Sequence, residues 1–169
     1  MQTNTVAAIK AASTEANYTT IATLATTIWQ QHYTPIIGEA QVQYMLDKYQ
    51  SVTAIKQQSA NGVKYFIIIY QDMAVGYLAY IKQNSSLFLS KLYILKPARN
   101  KGFGKQAIAF IQSSAIAMGL NKISLTVNKY NAATIRAYEK MGFDNIGEII
   151  TDVGNGFVMD DYKLEKTLN

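Results

Sequence analysis

Apolar positions change their period along this chain, and each change marks an element. Residues 6–12 alternate weakly and predict a first strand. Ile21, Leu24, Ala25, Ile28 and Trp29 then recur at helical spacing. They predict an amphipathic helix that follows a cap at Ser13 or Thr14, carries Glu15 in its first turn and ends near His32, where Pro35 is expected to break it. A second helix is predicted over residues 39–50, with Val42, Met45, Leu46 and Tyr49 on one face. Ser51 is expected to cap a short third helix over residues 52–58, and Asn61-Gly62 turns the chain.

Strand signals follow. Residues 64–70 (KYFIIIY) and 74–82 (AVGYLAYIK) are joined by a tight turn at Gln71-Asp72-Met73, and Asn84-Ser85-Ser86 leads into a third strand from Leu87. A helix over residues 105–118 puts Ile108, Ile111, Ala115 and Met118 inward, and Gly119 stops it. Residues 123–127 (ISLTV) form a strand after this helical crossover, which implies pairing parallel to the Leu87 strand. A last helix over residues 131–141 closes at Gly142, and residues 146–150 and 157–164 form a hairpin around Val153-Gly154-Asn155-Gly156. The expected fold is α/β: a mixed, mostly antiparallel sheet of about seven strands with helices on both faces. No repeat, low-complexity tract or linker interrupts it, so residues 1–169 read as a single domain.

Composition narrows the chemistry. A chain that is 49% hydrophobic and 16% charged suits a compact soluble globule. Without cysteine there is no disulfide frame and no thiolate metal site, and a single histidine disfavours a His-built metal centre or a Ser-His triad. No metal is expected. The first residues lack a basic segment followed by a long apolar core, and no apolar run approaches a membrane span, so a cytoplasmic protein without a membrane partner is expected. The net charge of +5 comes from scattered Lys and Arg with no basic block. An anionic cofactor accounts for it better than nucleic acid does.

Residues 87–104, LFLSKLYILKPARNKGFG, concentrate the chemistry. An apolar strand ends at Pro97, a glycine-bearing basic turn follows, and a helix begins. This arrangement aims free backbone N–H groups and the positive end of a helix dipole at one spot, a ready site for phosphate or diphosphate. The bland alternative is a tight turn whose glycines serve geometry alone. A Rossmann-type nucleotide site fits less well, because the Gly-x-Gly follows three antiparallel strands and no acidic residue stands about 20 positions on.

Arg99-x-x-Gly102-x-Gly104, after a strand and opening a helix, resembles the acetyl-CoA diphosphate loop of the Gcn5-related N-acetyltransferases. Val127-Asn128-x-x-Asn131-x-x-x-Ile135-x-x-Tyr138-Glu139-Lys140-Met141-Gly142-Phe143 is similar to that family's second motif. The tail from Tyr162 to Lys166, after Asp160-Asp161, further resembles the bacterial polyamine (spermine/spermidine-type) acetyltransferases. The resemblance implies an acetyl-CoA-dependent N-acetyltransferase. Arg99, Asn100, Lys101, Gly102, Phe103, Gly104 and Lys105 would hold the diphosphate. Backbone groups of Leu92, Tyr93 and Ile94 would pair with the pantetheine arm in a gap between the Leu87 and Ile123 strands. Asn131 would bond the same arm, or else cap its helix. Tyr138 would be the general acid for the leaving thiolate, or else pack under the Gly142-Phe143 turn.

The base is less legible. Ser90-Lys91 occupy the strand where many family members carry a glutamate. A water relay, Glu39, His32 or Tyr93 would have to substitute, and a lone His at a helix end also serves as cap or packing. Trp29, His32, Tyr33 and Glu39, with Asp160, Asp161 and Tyr162 in the tail, would suit a cationic small-molecule amine by cation–π contact and charge pairing. An ordinary helix-packing core is the alternative, and exposed apolar residues there would also suit a homodimer face. Two further readings stay open: a non-catalytic CoA-binding sensor, and an enzyme acting on protein N-termini or lysines.

Overall fold

The computed structural model describes residues 5–168. Their elements run β1 (Ala8–Ala12), α1 (Glu15–His32), α2 (Thr34–Ile37), α3 (Glu39–Tyr49), α4 (Val52–Ala60), β2 (Lys64–Tyr70), β3 (Met73–Gln83), β4 (Ser86–Ile94), a 3₁₀ turn (Lys96–Ala98), α5 (Phe103–Ala117), β5 (Lys122–Asn128), α6 (Ala132–Lys140), β6 (Asp144–Gly154) and β7 (Phe157–Thr167). The seven strands form one mixed sheet in the order β1-β2-β3-β4-β5-β7-β6. Its one parallel ladder among those described joins Leu87 to Ile123 and Phe88 to Ser124. The ladders β1–β2, β2–β3, β5–β7 and β6–β7 are antiparallel. Fold class and element order are those expected from the sequence.

The chain divides into two compact units. The first holds the residues up to Ile81 together with Lys91–Ile111; the second holds Lys82–Ser90 and the chain from Gln112 on. In the first, Ile21, Ile28, Ile55, Ile68, Tyr77 and Leu78 lose essentially all solvent contact. In the second, Leu87, Ile123, Leu125 and Leu164 do the same. Among the described residues no helix is long and apolar enough to cross a membrane.

Local chemistry explains most boundaries. Thr14 is the cap of α1: its hydroxyl accepts from the Asn17 N–H while the Asn17 side chain accepts from the Thr14 N–H. Ser51 caps α4 through the Ala54 N–H. The β2–β3 hairpin turns on Gln71 and Asp72, both left-handed, as a two-residue turn requires.

Three expectations need correction. Met118, expected inward, lies beyond the Ala117 end of α5 and is exposed, whereas α1 does end at His32 and Pro35 sits in the first turn of the short α2 that follows, where its missing N–H costs nothing. Helix α5 begins at Phe103, two residues earlier than the glycine spacing suggested. Strand β6 spans Asp144–Gly154 rather than 146–150, because β7 offers partners along its whole length.

Candidate functional site

The early start of α5 matters for the site. The first bond into this helix runs from the Gln106 N–H to the Gly102 carbonyl. The N–H groups of Phe103, Gly104 and Lys105 therefore precede any intrahelical partner and face outward at the positive end of the helix dipole. Gly102 holds φ +86° and Asn100 φ +64°, the left-handed conformations that swing the loop into the helix. Gly104 is different. Its φ is ordinary, and a Cβ built there would meet no protein atom within 4 Å. Nothing in the protein's own packing requires a glycine at 104; the missing side chain leaves the helix mouth open to a close-approaching anion.

The side chains of this segment divide their work. Phe103 is buried against the Tyr70 ring, so it anchors the helix and can meet a ligand through its N–H alone. Gln106 is tied to the segment before β1, accepting from the Ala7 N–H and donating to the Thr5 carbonyl. Arg99 donates from Nε to the Ile94 carbonyl at 3.0 Å, which strings the loop to the end of β4. Asn100, Lys101 and Lys105 are exposed.

Strand β4 is shaped by its neighbour. The β2–β3 register slips at Ile68/Ile69, leaving Val75 as an extra residue on β3, and the Val75 carbonyl accepts the Leu95 N–H at 2.8 Å. Gly76 comes next. A Cβ on it would overlap the Tyr93 carbonyl and lie 2.9 Å from Ile94 Cδ1, so glycine is obligatory there. Leu92, Tyr93 and Ile94 are half-buried.

On the inward face of the first unit, the structure gathers Trp29, Tyr33 and Tyr93. Ring centroids lie 4.3 Å apart for Trp29–Tyr33, 5.8 Å for Trp29–Tyr93 and 6.3 Å for Tyr33–Tyr93; Tyr77 stands 5.4 Å from Tyr93. His32 meets Tyr33 edge-on. The Tyr77 hydroxyl donates to Gln50, and its pKa is raised by burial, then by the nearby Tyr65, against a lowering influence of the Trp29 N–H. That N–H acts on Tyr77 from outside hydrogen-bond geometry and has no partner of its own. Glu39 is exposed and lines a hollow with Gln30, Thr34, Val42 and Gln43.

Sequence reasoning gave Lys91 no role, yet its side chain is buried. Its Nζ donates to the Tyr49 carbonyl at 2.7 Å, Gln58 Oε1 at 3.0 Å and the Tyr65 hydroxyl at 2.6 Å. Burial lowers its pKa to about 7. The alternation of β4 carried the signal, since Lys91 shares parity with inward-facing Leu87 and Leu89.

In the second unit, Asn131 is buried at the N-cap position of α6, but its side chain makes no capping bond. The turn is held by Asn128 instead, whose Oδ1 accepts the Tyr130 N–H. Tyr138 is buried with its ring 5.4 Å from Phe143. Asp161 is buried on β7 opposite Asn128, and burial, then Asp160, raises its pKa to about 6 against the opposing charge of Lys129. Among the described residues no group of His, Cys, Asp or Glu is placed to hold a metal ion.

Comparison with known proteins follows the same lines. The acetyltransferase (GNAT) family model matches residues 19–143. The uncharacterized N-acetyltransferase YycN of Bacillus subtilis is 33% identical over 64 residues, which span 38% of this chain and 41% of YycN. The PaiA N-acetyltransferase of Thermoplasma acidophilum, solved with coenzyme A, superposes at a TM-score of 0.77 and 17% identity over 95% of this chain and 99% of that one. The GCN5-related N-acetyltransferase from Rhodopseudomonas palustris gives 0.82 at 15% identity over 99% of each chain. The SpeG spermidine N-acetyltransferase chimera from Vibrio cholerae and hSSAT gives 0.67 at 21% identity, over 95% of this chain and 94% of the chimera.

Proposed function

Because this chain belongs to the acetyltransferase (GNAT) family, we propose that it transfers an acetyl group from acetyl-CoA directly to a primary amine of a small molecule, polyamines first among them. Acetyl-CoA supplies the acyl group already activated as a thioester. The observation that carries the reading is the mouth of α5, where the N–H groups of Phe103, Gly104 and Lys105 stand without intrahelical partners beside an open Gly104. These groups receive the diphosphate, and exposed Lys101 and Lys105 add charge around it.

The remaining roles follow the same scheme. Arg99 ties the loop to β4, so the diphosphate site and the Leu92–Tyr93–Ile94 backbone that receives the pantetheine arm move as one. Asn131 has no capping bond to keep its side chain occupied, which supports a bond to the arm. Tyr138, its ring fixed against Phe143, gives its hydroxyl proton to the departing sulfur. The chain has no cysteine to carry an acyl group, so the amine attacks directly. Trp29 and Tyr33 are buried behind half-buried Tyr93, and this aromatic cluster, with His32 beside Tyr33, supports a cationic amine as acceptor by cation–π contact. The shared fold with a spermidine acetyltransferase makes spermidine the first acceptor to try.

The test is mass spectrometry of spermidine, spermine, an amino-acid and aminoglycoside panel, and lysine- and N-terminus-bearing peptides after incubation with acetyl-CoA. Mono-acetylated polyamine is the expected product. Acetylated peptide alone would move the acceptor to protein amines. Stabilisation by CoA with no acetylated product would leave a CoA-binding module.

A further inference from the structure

Gln106 stands at the end of the first turn of α5 and commits both ends of its side-chain amide to groups 99 and 101 residues earlier in the chain. Its Oε1 accepts the Ala7 N–H at 2.9 Å, and its Nε2 donates to the Thr5 carbonyl at 2.6 Å. Those two backbone groups flank Val6, and they are the pair that one residue of a parallel neighbouring strand would engage. The amide thus serves as a one-residue strand partner for the segment that leads into β1. Val6 itself is 64% exposed, so its side chain gives that segment no buried anchor.

The same amide lies beside the loop at the mouth of the helix. A Cβ on Gly102 would come within 3.9 Å of Gln106 Nε2, and the Gln106 N–H bonds the Gly102 carbonyl at 3.0 Å. This end of α5 needs outside support. An opening turn has no intrahelical acceptors for its own N–H groups, Gly102 and Gly104 add backbone freedom, and no acidic residue stands in the turn. Phe103 fixes it against Tyr70 of β2, and Arg99 fixes the preceding loop to the Ile94 carbonyl. Gln106 supplies a third hold, on the segment before β1. All of these residues belong to the first unit.

We propose that Gln106 is a positioning residue of the coenzyme site: its amide braces the first turn of α5 on residues 5–7, and through that brace diphosphate binding is coupled to the order of the segment before β1. The inference rests on the diphosphate reading above. Gln106 does not itself meet the coenzyme, because its side chain is occupied at both ends and its N–H is already inside the helix. It acts by holding the Phe103, Gly104 and Lys105 amides in the arrangement that receives a diphosphate, so less order has to be created when the ligand arrives. The coupling runs both ways. A ligand that fixes those amides also steadies Gln106, and with it the Ala7 N–H.

The experiment compares the full chain with its Gln106→Leu variant, which keeps the bulk of the side chain and loses both bonds. By calorimetry the variant should bind CoA about tenfold more weakly, and pantetheine, which lacks the diphosphate, within about threefold of wild type. A general loosening of the fold would weaken both ligands alike. Unchanged CoA affinity in the variant, or an equal loss for both ligands, overturns the proposal. A second readout needs no variant: in amide exchange followed by NMR, saturating CoA should slow the wild-type Ala7 N–H by about tenfold. An Ala7 rate that bound CoA leaves unchanged overturns the coupling. If the wild type binds no CoA, the diphosphate reading fails and this inference falls with it; if both proteins bind CoA equally, that reading stands and the brace alone is dismissed.

Discussion

The Lys91 Nζ lies 2.6 Å from the Tyr65 hydroxyl, and no carboxylate shares that site. Three neutral acceptors satisfy the amine, and Tyr65 is itself bonded to Gln58. Burial works against both groups: it lowers Lys91 to about 7 and raises Tyr65 well above its ordinary value, the latter helped by Tyr18.

This geometry fixes the sign of a pH effect. In the unfolded chain Lys91 holds its proton up to its ordinary value of 10.5, while in the fold it releases it near 7. Between those values the unfolded chain binds more protons, so this group makes stability rise with pH, and its full penalty stands below 7. Without Lys91 the network still closes, since Gln58 donates to the Tyr49 carbonyl and Tyr65 bonds to Gln58. Lys91→Met should therefore raise stability at pH 6 by about 1–3 kcal/mol, a gain that shrinks toward pH 10. Urea melts at both pH values check it. A variant less stable than wild type at pH 6 would show that the ammonium supports the fold.

Asp161 has the opposite slope. Its carboxyl releases its proton near 6 in the fold and near 3.8 in the unfolded chain, so stability falls as pH rises between those values. Asp161→Asn should melt at the same temperature as wild type near pH 4 and be more stable by about 1–3 kcal/mol at pH 7.

Gly104 and Gly76 separate two reasons for glycine. Gly104→Ala adds a Cβ in open space and removes a poor helix former, so the variant should gain about 0.5–1 kcal/mol while its affinity for CoA falls at least tenfold. Gly76→Ala drives a Cβ into the Tyr93 carbonyl, and about 1–3 kcal/mol should be lost as β3 and β4 shift. Thermal melts and calorimetry on both variants check the pair.

Tyr138→Phe removes the hydroxyl and keeps the ring that packs on Phe143. Turnover should drop by about a hundredfold with CoA affinity nearly unchanged. Unchanged kcat would dismiss Tyr138 as the acid.

Much of this was legible in the sequence, for local reasons. Thr14, Ser51 and the Gln71-Asp72 turn act through bonds to their immediate neighbours, so their residue types announce them. The start of α5 does not, because it depends on Phe103 finding Tyr70, a partner far away in the chain. The short α2 before Glu39 is equally unannounced, because Pro35 reads as a breaker and only the structure shows it opening a helix of its own. Lys91 and Asp161 resist reading for a shared reason. Charged residues on strands are ordinarily solvated, and only the packing of Gln58 and Tyr65, or the commitment of Lys129 to Asp160 and Glu148, shows that these two are buried.

The central claim is that the free amides at the start of α5 bind a diphosphate. Calorimetric titration of the wild-type protein with CoA and, separately, with pantetheine, which lacks the diphosphate, addresses it directly. CoA should bind at one site per chain, and pantetheine at least a hundredfold more weakly. Equal binding of the two, or no heat with CoA from well-folded protein, would contradict the account.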